Sequence, residues 1–190
     1  MKRRNSARLT GALAGAALLA APAFAQNDKP LKIGVLTDLT SVYSDIGGKG
    51  NIEAAKMAIE DFGGQMFGKP IEIVSSDVQM KADVAASIAR KWWESENVDA
   101  IIDMPTSATA LAVMELSKQF EKPLIITDAA SSDITGKSCS PYTAHWTYDT
   151  YSNAQTVGQA VVKQGGDSWY FITVDYAFGH SIEKDVSGVV

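Results

Sequence analysis

The sequence predicts an α/β protein built on a doubly wound parallel sheet. Two observations carry this expectation. Short apolar runs alternate with longer segments of helical period four times within about a hundred residues. The runs are also nearly continuous, as expected of parallel strands covered on both faces.

Residues 1–25 precede the first strand and read as a secretory leader. Lys2, Arg3, Arg4 and Arg8 form a cationic head, Leu9 to Leu19 is apolar and small, and Ala23-Phe24-Ala25 is a small-x-small cleavage site. Cleavage after Ala25 would make Gln26 the mature N-terminus. The apolar run is too short, and too rich in Ala and Gly, for a spanning helix. The apolar residues expected after a twin-arginine pair are missing, so ordinary secretion is the reading. No Cys marks the site as that of a lipoprotein.

The elements follow in order. Leu31 to Thr37 is the first strand. Ile52, Ala55, Ile59 and Phe62 recur at helical spacing, and Gly63-Gly64 stops that helix. Pro70 to Ser75 is the second strand. Val84 or Ala85, Ile88 and Trp92 mark the next helix, which puts Trp92 in the core and leaves Trp93 partly exposed. Val98 to Ile102 is a strand, Ala108 to Phe120 a helix, and Pro123 to Thr127 another strand. Asp128 to Thr143 is rich in Ser, Ala, Asp and Gly without a period, so a loop is expected. Asn153 to Gln164 resumes as a helix, Ser168 to Val174 reads as a strand, and a further helix starts at Ser181. A boundary falls near Thr147 to Thr150. The chain thus divides into a leader (1–25), a first α/β unit (26–147) and the start of a second (148–190). Apolar surface on Trp169, Phe171 and Ile172 is expected to lack part of its cover.

Charge and motifs narrow the function classes. The leader's four charged residues are all basic, so its removal takes the net charge from -5 to -9. That argues against nucleic acid or an anionic membrane as a partner. Cys139 is the only cysteine, which excludes an intrachain disulfide or a thiolate cluster within these residues. No G-x-S-x-G occurs. Gly47, Gly48 and Gly50 fit neither G-x-G-x-x-G nor G-x-x-x-x-G-K-[ST]. His145 and His180 have no ligand-spaced partners, so each reads as a polar residue in a loop or at a helix start, and no metal site, cofactor or catalytic group is expected. An exported α/β enzyme has no motif behind it.

In an open parallel sheet, ligands sit beyond the carboxyl ends of the strands. Three segments occupy that edge: Ser41 to Gly48, Met104-Pro105-Thr106-Ser107 and Asp128-Ala129-Ala130-Ser131. Ser107 follows a strand and begins a helix, where free N–H groups and the helix dipole favour an anion. The same position also suits a plain N-cap. Asp175-Tyr176-Ala177-Phe178-Gly179-His180 is a further strand end running into a helix, where Phe178 suits either a cleft or a core. Tyr148 sits at the expected boundary, and Tyr43 and Ile46 in the first loop are further candidates.

The stretch Lys32 to Gly64, KIGVLTDLTSVYSDIGGKGNIEAAKMAIEDFGG, together with HWTYDTY and DYAFGH, resembles the periplasmic substrate-binding proteins of ABC importers, in the branched-chain amino-acid-binding branch. The resemblance runs from Lys29 to Val190. It implies the type I periplasmic-binding-protein (Venus-flytrap) fold, with a small carboxylated solute held between two lobes and passed to a membrane permease. Such proteins are about twice as long and cross between lobes three times, so a mostly present first lobe and a truncated second lobe are expected. It implies that Ser107 holds a ligand carboxylate and that Ala129-Ala130-Ser131 holds its other polar atoms, Ser131 standing where amino-acid binders often have Thr. An aromatic residue at Phe178 would close over the ligand; branched-chain amino-acid binders carry Tyr there. The likeness is nearest to members that import aromatic carboxylic acids. Branched-chain or other amino acids are the alternative ligands, and a ligand-sensing ectodomain of the same fold is the alternative class. The expected location is the periplasm.

Overall fold

The computed structural model describes residues 29–190; the leader and its cleavage site lie outside them. The sheet has six strands: β1 (Leu31–Thr37), β2 (Gln65–Met66), β3 (Lys69–Asp77), β4 (Ala100–Asp103), β5 (Leu124–Ile126) and β6 (Thr143–His145). Their spatial order is β2-β3-β1-β4-β5-β6. All neighbours run parallel except the β2–β3 pair, which is antiparallel.

The order explains where the helices go. Helix α1 (Gly48–Asp61) carries the chain from β1 to β3 in one direction, whereas α2 (Ala82–Glu94) and α3 (Ser107–Phe120) carry it the other way, to β4 and β5. Right-handed crossovers then put α1 on one face and pair α2 with α3 on the other. The doubly wound sheet expected from the sequence is therefore present.

The α2–α3 face holds the core. Trp92, Ala89, Val113, Met114 and Leu116 pack with Leu36, Ile101 and Leu124 of the strands. Gly34 makes room for this packing. A Cβ there would lie 2.4 Å from the Trp92 ring, so the bare backbone lets the indole rest on β1. Among the described residues α1 stands alone on the other face. Ile52, Ala55 and Ile59 are only half-buried, and Phe62, just past the helix end, is 61% exposed.

The remaining chain departs from expectation in several places. Trp93 is buried, not partly exposed, because it packs with Phe120 (ring centroids 6.0 Å) at the α2–α3 seam. Within the expected loop over 128–143, the last residue opens β6, which pairs with β5. Three residues are too few to show a period. Residues Ser168 to Val174 pair with no strand among the described residues, so they form no strand. Of the three residues expected to lack cover, Ile172 is 96% exposed and Trp169 36%, whereas Phe171 is half-buried. The helix expected from Asn153 begins earlier, as α4 (Thr150–Asn153), and runs through a π-helical turn (Ala154–Gly158) into α5 (Gln159–Lys163). Helix α6 (Ala177–Ser187) begins four residues ahead of Ser181.

Overpacking at Gly34 gives a direct test of the core. Gly34→Ala forces the Trp92 ring from β1 and is expected to cost about 1–3 kcal/mol. Denaturant unfolding checks this as a lower midpoint with an unchanged slope.

Candidate ligand-binding site

The carboxyl ends of β1, β4 and β5 meet at one edge, and the loop that follows β1 is held open there by two carboxylates. Asp77 at the end of β3 accepts from Leu39 N–H (3.0 Å) and the Thr40 hydroxyl (2.5 Å). Slight burial pushes its carboxyl up, but these bonds and one from Gln79 outweigh it and hold the group below its ordinary value. Asp38, fully buried, accepts from the N–H groups of Ser41 (3.0 Å) and Tyr43 (2.9 Å). The loop then enters α1 through Gly48, whose φ of +53° and close approach to the Asp38 carbonyl both require glycine.

Helix α3 begins one residue earlier than a Ser107 cap would place it. Thr106 is the cap: its hydroxyl accepts from Thr109 N–H (3.2 Å), and Thr109 Oγ1 accepts from Thr106 N–H (3.3 Å). Ser107 is thereby left for another task. Its Oγ accepts from Ser131 N–H at 3.0 Å, so the hydroxyl proton remains free to donate. Among the described residues nothing accepts from the N–H groups of Ser107, Ala108 or Ala130. Three backbone donors and one hydroxyl thus gather at the positive end of a fourteen-residue helix.

These groups border a pocket of about 280 Å³, close to the lower end of small-molecule sites at about 300–1,000 Å³. Seven of the eight residues singled out from the sequence line it: Tyr43, Ile46, Ser107, Ala129, Ala130, Tyr148 and Phe178. Ser131 does not. It is fully buried behind the wall, and its Oγ lies 2.5 Å from the Ser181 hydroxyl of α6. Sequence reasoning missed Tyr176, which also lines the pocket. Its hydroxyl is 2.6 Å from that of Tyr43, and its ring is stacked near Phe178 (6.2 Å). Burial, then the Tyr43 hydroxyl, raise the Tyr176 phenol above its ordinary value. Its place two residues before Phe178 was the one signal available.

Asp128 is the acidic side chain of the lining. Behind it, Asn51 of α1 donates to Asp128 Oδ2 (2.8 Å) and to Asp103 Oδ1 (3.0 Å). Burial pushes the Asp103 carboxyl from 3.8 up to about 8; the neighbouring Asp128 carboxylate adds to the shift, while Thr37 and Asn51 oppose it. The two histidines are not ligands of anything described. His145 Nε2 donates to the Ala129 carbonyl (2.7 Å), and His180 pairs with Asp175 (3.0 Å) at the surface. Among the described residues no cluster could hold a metal ion.

A pocket at the strand ends of a doubly wound sheet is a binding site in many families. Here the family is decided by a match: the periplasmic binding protein family model covers residues 30–190. The chain belongs to the periplasmic binding protein family. It is 25% identical over 175 residues to Leu/Ile/Val-binding protein homolog 6 of Brucella abortus, covering 91% of this chain and 43% of that protein. It is similar to the crystal structure of a periplasmic binding protein from Burkholderia mallei, with 46% identity and a TM-score of 0.81 over 84% of this chain and 43% of that one. It is also similar to a solute-binding protein of an ABC transporter from Rhodopseudomonas palustris, solved with 3,4-dihydroxybenzoic acid. That match has 25% identity and a TM-score of 0.75 over 84% of this chain and 43% of that one. The chain therefore has the type I periplasmic-binding-protein fold and spans about 43% of the length of the curated relatives it matches.

The Thr106 cap fixes the helix start that presents these donors. Thr106→Ala should lower stability by about 1 kcal/mol. Hydrogen exchange checks the local effect: amides of the first α3 turn should lose protection before those of β1.

Proposed function

We propose that this chain forms the capturing part of an extracytoplasmic receptor that holds a small carboxylated solute, an aromatic acid, and delivers it to the permease of an ABC transporter. Residues 26–147 are the first lobe and 148–190 the start of the second, and the pocket lies where they meet. Residues 1–25 export the protein to the periplasm and are removed after Ala25. The chain's role is binding, not catalysis.

The observation that carries this reading is the set of unused donors at the α3 N-terminus: Ser107 N–H, Ala108 N–H, Ala130 N–H and the Ser107 hydroxyl proton. Buried donors without acceptors are costly, and a carboxylate satisfies several of them at once. Tyr43, Tyr148, Tyr176 and Phe178 supply flat apolar surface around the same space. Offset aromatic contacts add about 0.5–1.5 kcal/mol beyond area burial. The dihydroxybenzoate held by the Rhodopseudomonas palustris relative supports the same ligand class. Ser131 acts from behind, by orienting the turn that carries Ala129 and Ala130.

One observation favours a second reading, a branched-chain or other amino acid. Asp128 is an acidic side chain on the pocket wall and would offer an ammonium group its counter-charge. The name of the Brucella abortus relative points the same way.

Thermal-shift screening of the protein expressed from its full reading frame separates the two. Benzoate, hydroxybenzoate and coumarate should stabilise it; stabilisation by leucine, isoleucine or valine alone would reject the aromatic class. Calorimetry tests the anchor. Ser107→Ala removes one bond to a charged group, about 1.5–3 kcal/mol, and should weaken binding at least about ten-fold. An unchanged affinity would remove Ser107 from the site.

A further inference from the structure

Asp103 stands out among the buried groups. It is 2% exposed, and its Oδ2 has no hydrogen-bond partner among the described residues. Its backbone has a φ of +91°, and Met104 follows at +78°, values that disfavour any residue but glycine. A residue that is buried, short of a partner and strained persists only where its surroundings hold it in place.

Those surroundings are built around its carboxyl. Thr37 of β1, whose Oγ1 accepts from Gly48 N–H (3.0 Å), favours the ionised form of Asp103. Asn51 of α1 bridges Asp103 and Asp128 through one amide nitrogen. The other titratable or charged groups on neighbouring elements are turned elsewhere. Lys49 and Glu53 of α1 are exposed, Asp38 is held by Ser41 and Tyr43, and His145 of β6 donates to the Ala129 carbonyl. Among the described residues Asp128 alone bears on it with a charge.

We propose that Asp103 and Asp128 share a single proton, and that this proton takes part in capture: the acid pair must hold it for a carboxylate to occupy the pocket that Asp128 lines. This rests on the carboxylate reading of that pocket. Two carboxylates joined by one amide, one of them buried, cannot both ionise cheaply. With one proton between them, Asp103 donates to Asp128 and the pair carries a single negative charge. Without it, two charges stand beside a site built for an anion. Proton and anion are therefore thermodynamically linked, each strengthening the other's hold by the same factor. Burial and the Asp128 charge raise the Asp103 carboxyl to about 8, so the proton is in place at neutral pH. Asp103 is then a positioning residue and Asp128 the group that meets the ligand.

The linkage has a definite sign. Between about pH 4 and pH 8 the unfolded chain has Asp103 ionised, whereas the folded chain keeps it protonated. The folded state binds more protons there, so stability falls as pH rises through that window and levels off above it.

The test uses the protein expressed from its full reading frame, with benzoate as the probe because it stays ionised throughout. Benzoate affinity should fall roughly ten-fold between pH 7 and pH 9.5 in the native protein and stay nearly flat in Asp103→Asn. In Asp128→Asn the fall should begin at a lower pH. Two readouts need no ligand. The Asp103→Asn melting temperature should gain on the native one from pH 5 to pH 8, and infrared spectra at pH 6.5 should contain a protonated-carboxyl stretch that Asp103→Asn lacks. Parallel melting profiles with no such stretch would overturn the shared proton, whatever binds. The ligand-free signatures without benzoate binding at any pH would reject the carboxylate reading and, with it, the capture role. Benzoate binding independent of pH beside those signatures would overturn the capture role alone.

Discussion

The reversal of winding between β1 and β4 is the constraint on which the rest depends. From β1 the chain turns one way to reach β3, and from β4 it turns the other way to reach β5. Two adjacent strands thus send their following loops apart, and the crevice between those loops cannot be filled by either. One wall of the pocket is placed by that divergence, while Thr147, Tyr148, Tyr176 and Phe178 come from the chain beyond β6. The loop after β1 brings Tyr43 and Ile46, the turn after β4 brings Pro105 to Ser107, and the turn after β5 brings Asp128 to Ala130. The core on the α2–α3 face holds the strands rigid, so the loops meet at fixed positions.

Within that crevice the polar groups are of opposite character. The start of α3 offers donors with nothing to accept from them, while Asp103 and Asp128 offer acceptors with too few donors. They do not cancel each other, because Asn51 engages both acids from behind. A donor cluster satisfied internally would bind nothing. One facing bare carboxylates would repel any anion. Asn51 settles the conflict: an amide offers two hydrogens and no charge, so it ties the acids together without adding a cation to the crevice.

Much of this edge was legible in the sequence, for a physical reason. Continuous apolar runs mark buried parallel strands, and the residues that follow each run must stand at the carboxyl edge. Counting strand ends therefore reached Tyr43, Ile46, Ser107, Ala129 and Ala130 with no tertiary information. The polar partners were not legible. Asn51 and Asp103 are 52 residues apart, Tyr43 and Tyr176 are 133 apart, and no local pattern announces such pairs. The cap of α3 was misplaced by one residue because Thr106 and Ser107 both suit it; only the side chain of Thr109 decides between them. Ser168 to Val174 shows the opposite failure. Its apolar and aromatic residues suit a strand, but composition reports what a segment tolerates, not whether a neighbour is there to pair with it.

Ser131 shows how binding and packing use the same turn. Its N–H donates to the Ser107 hydroxyl, and its side chain reaches α6 through Ser181. Next to it, Ser132 N–H donates to the Thr150 hydroxyl (3.0 Å), which donates to Asp185 of α6 (2.6 Å). Thr150 N–H in turn donates to the Ala130 carbonyl (2.8 Å). One peptide stretch therefore connects the donor cluster in front to α4 and α6 behind. A ligand that draws the Ser107 hydroxyl proton toward itself leaves the Oγ a better acceptor for Ser131 N–H, since hydrogen bonds in a chain polarise one another. The Ser107 hydroxyl at the pocket and the seating of α6 are in this way consecutive links of one hydrogen-bonded chain. A small hydroxyl residue suits position 131 because it must serve that chain; it does not line the pocket.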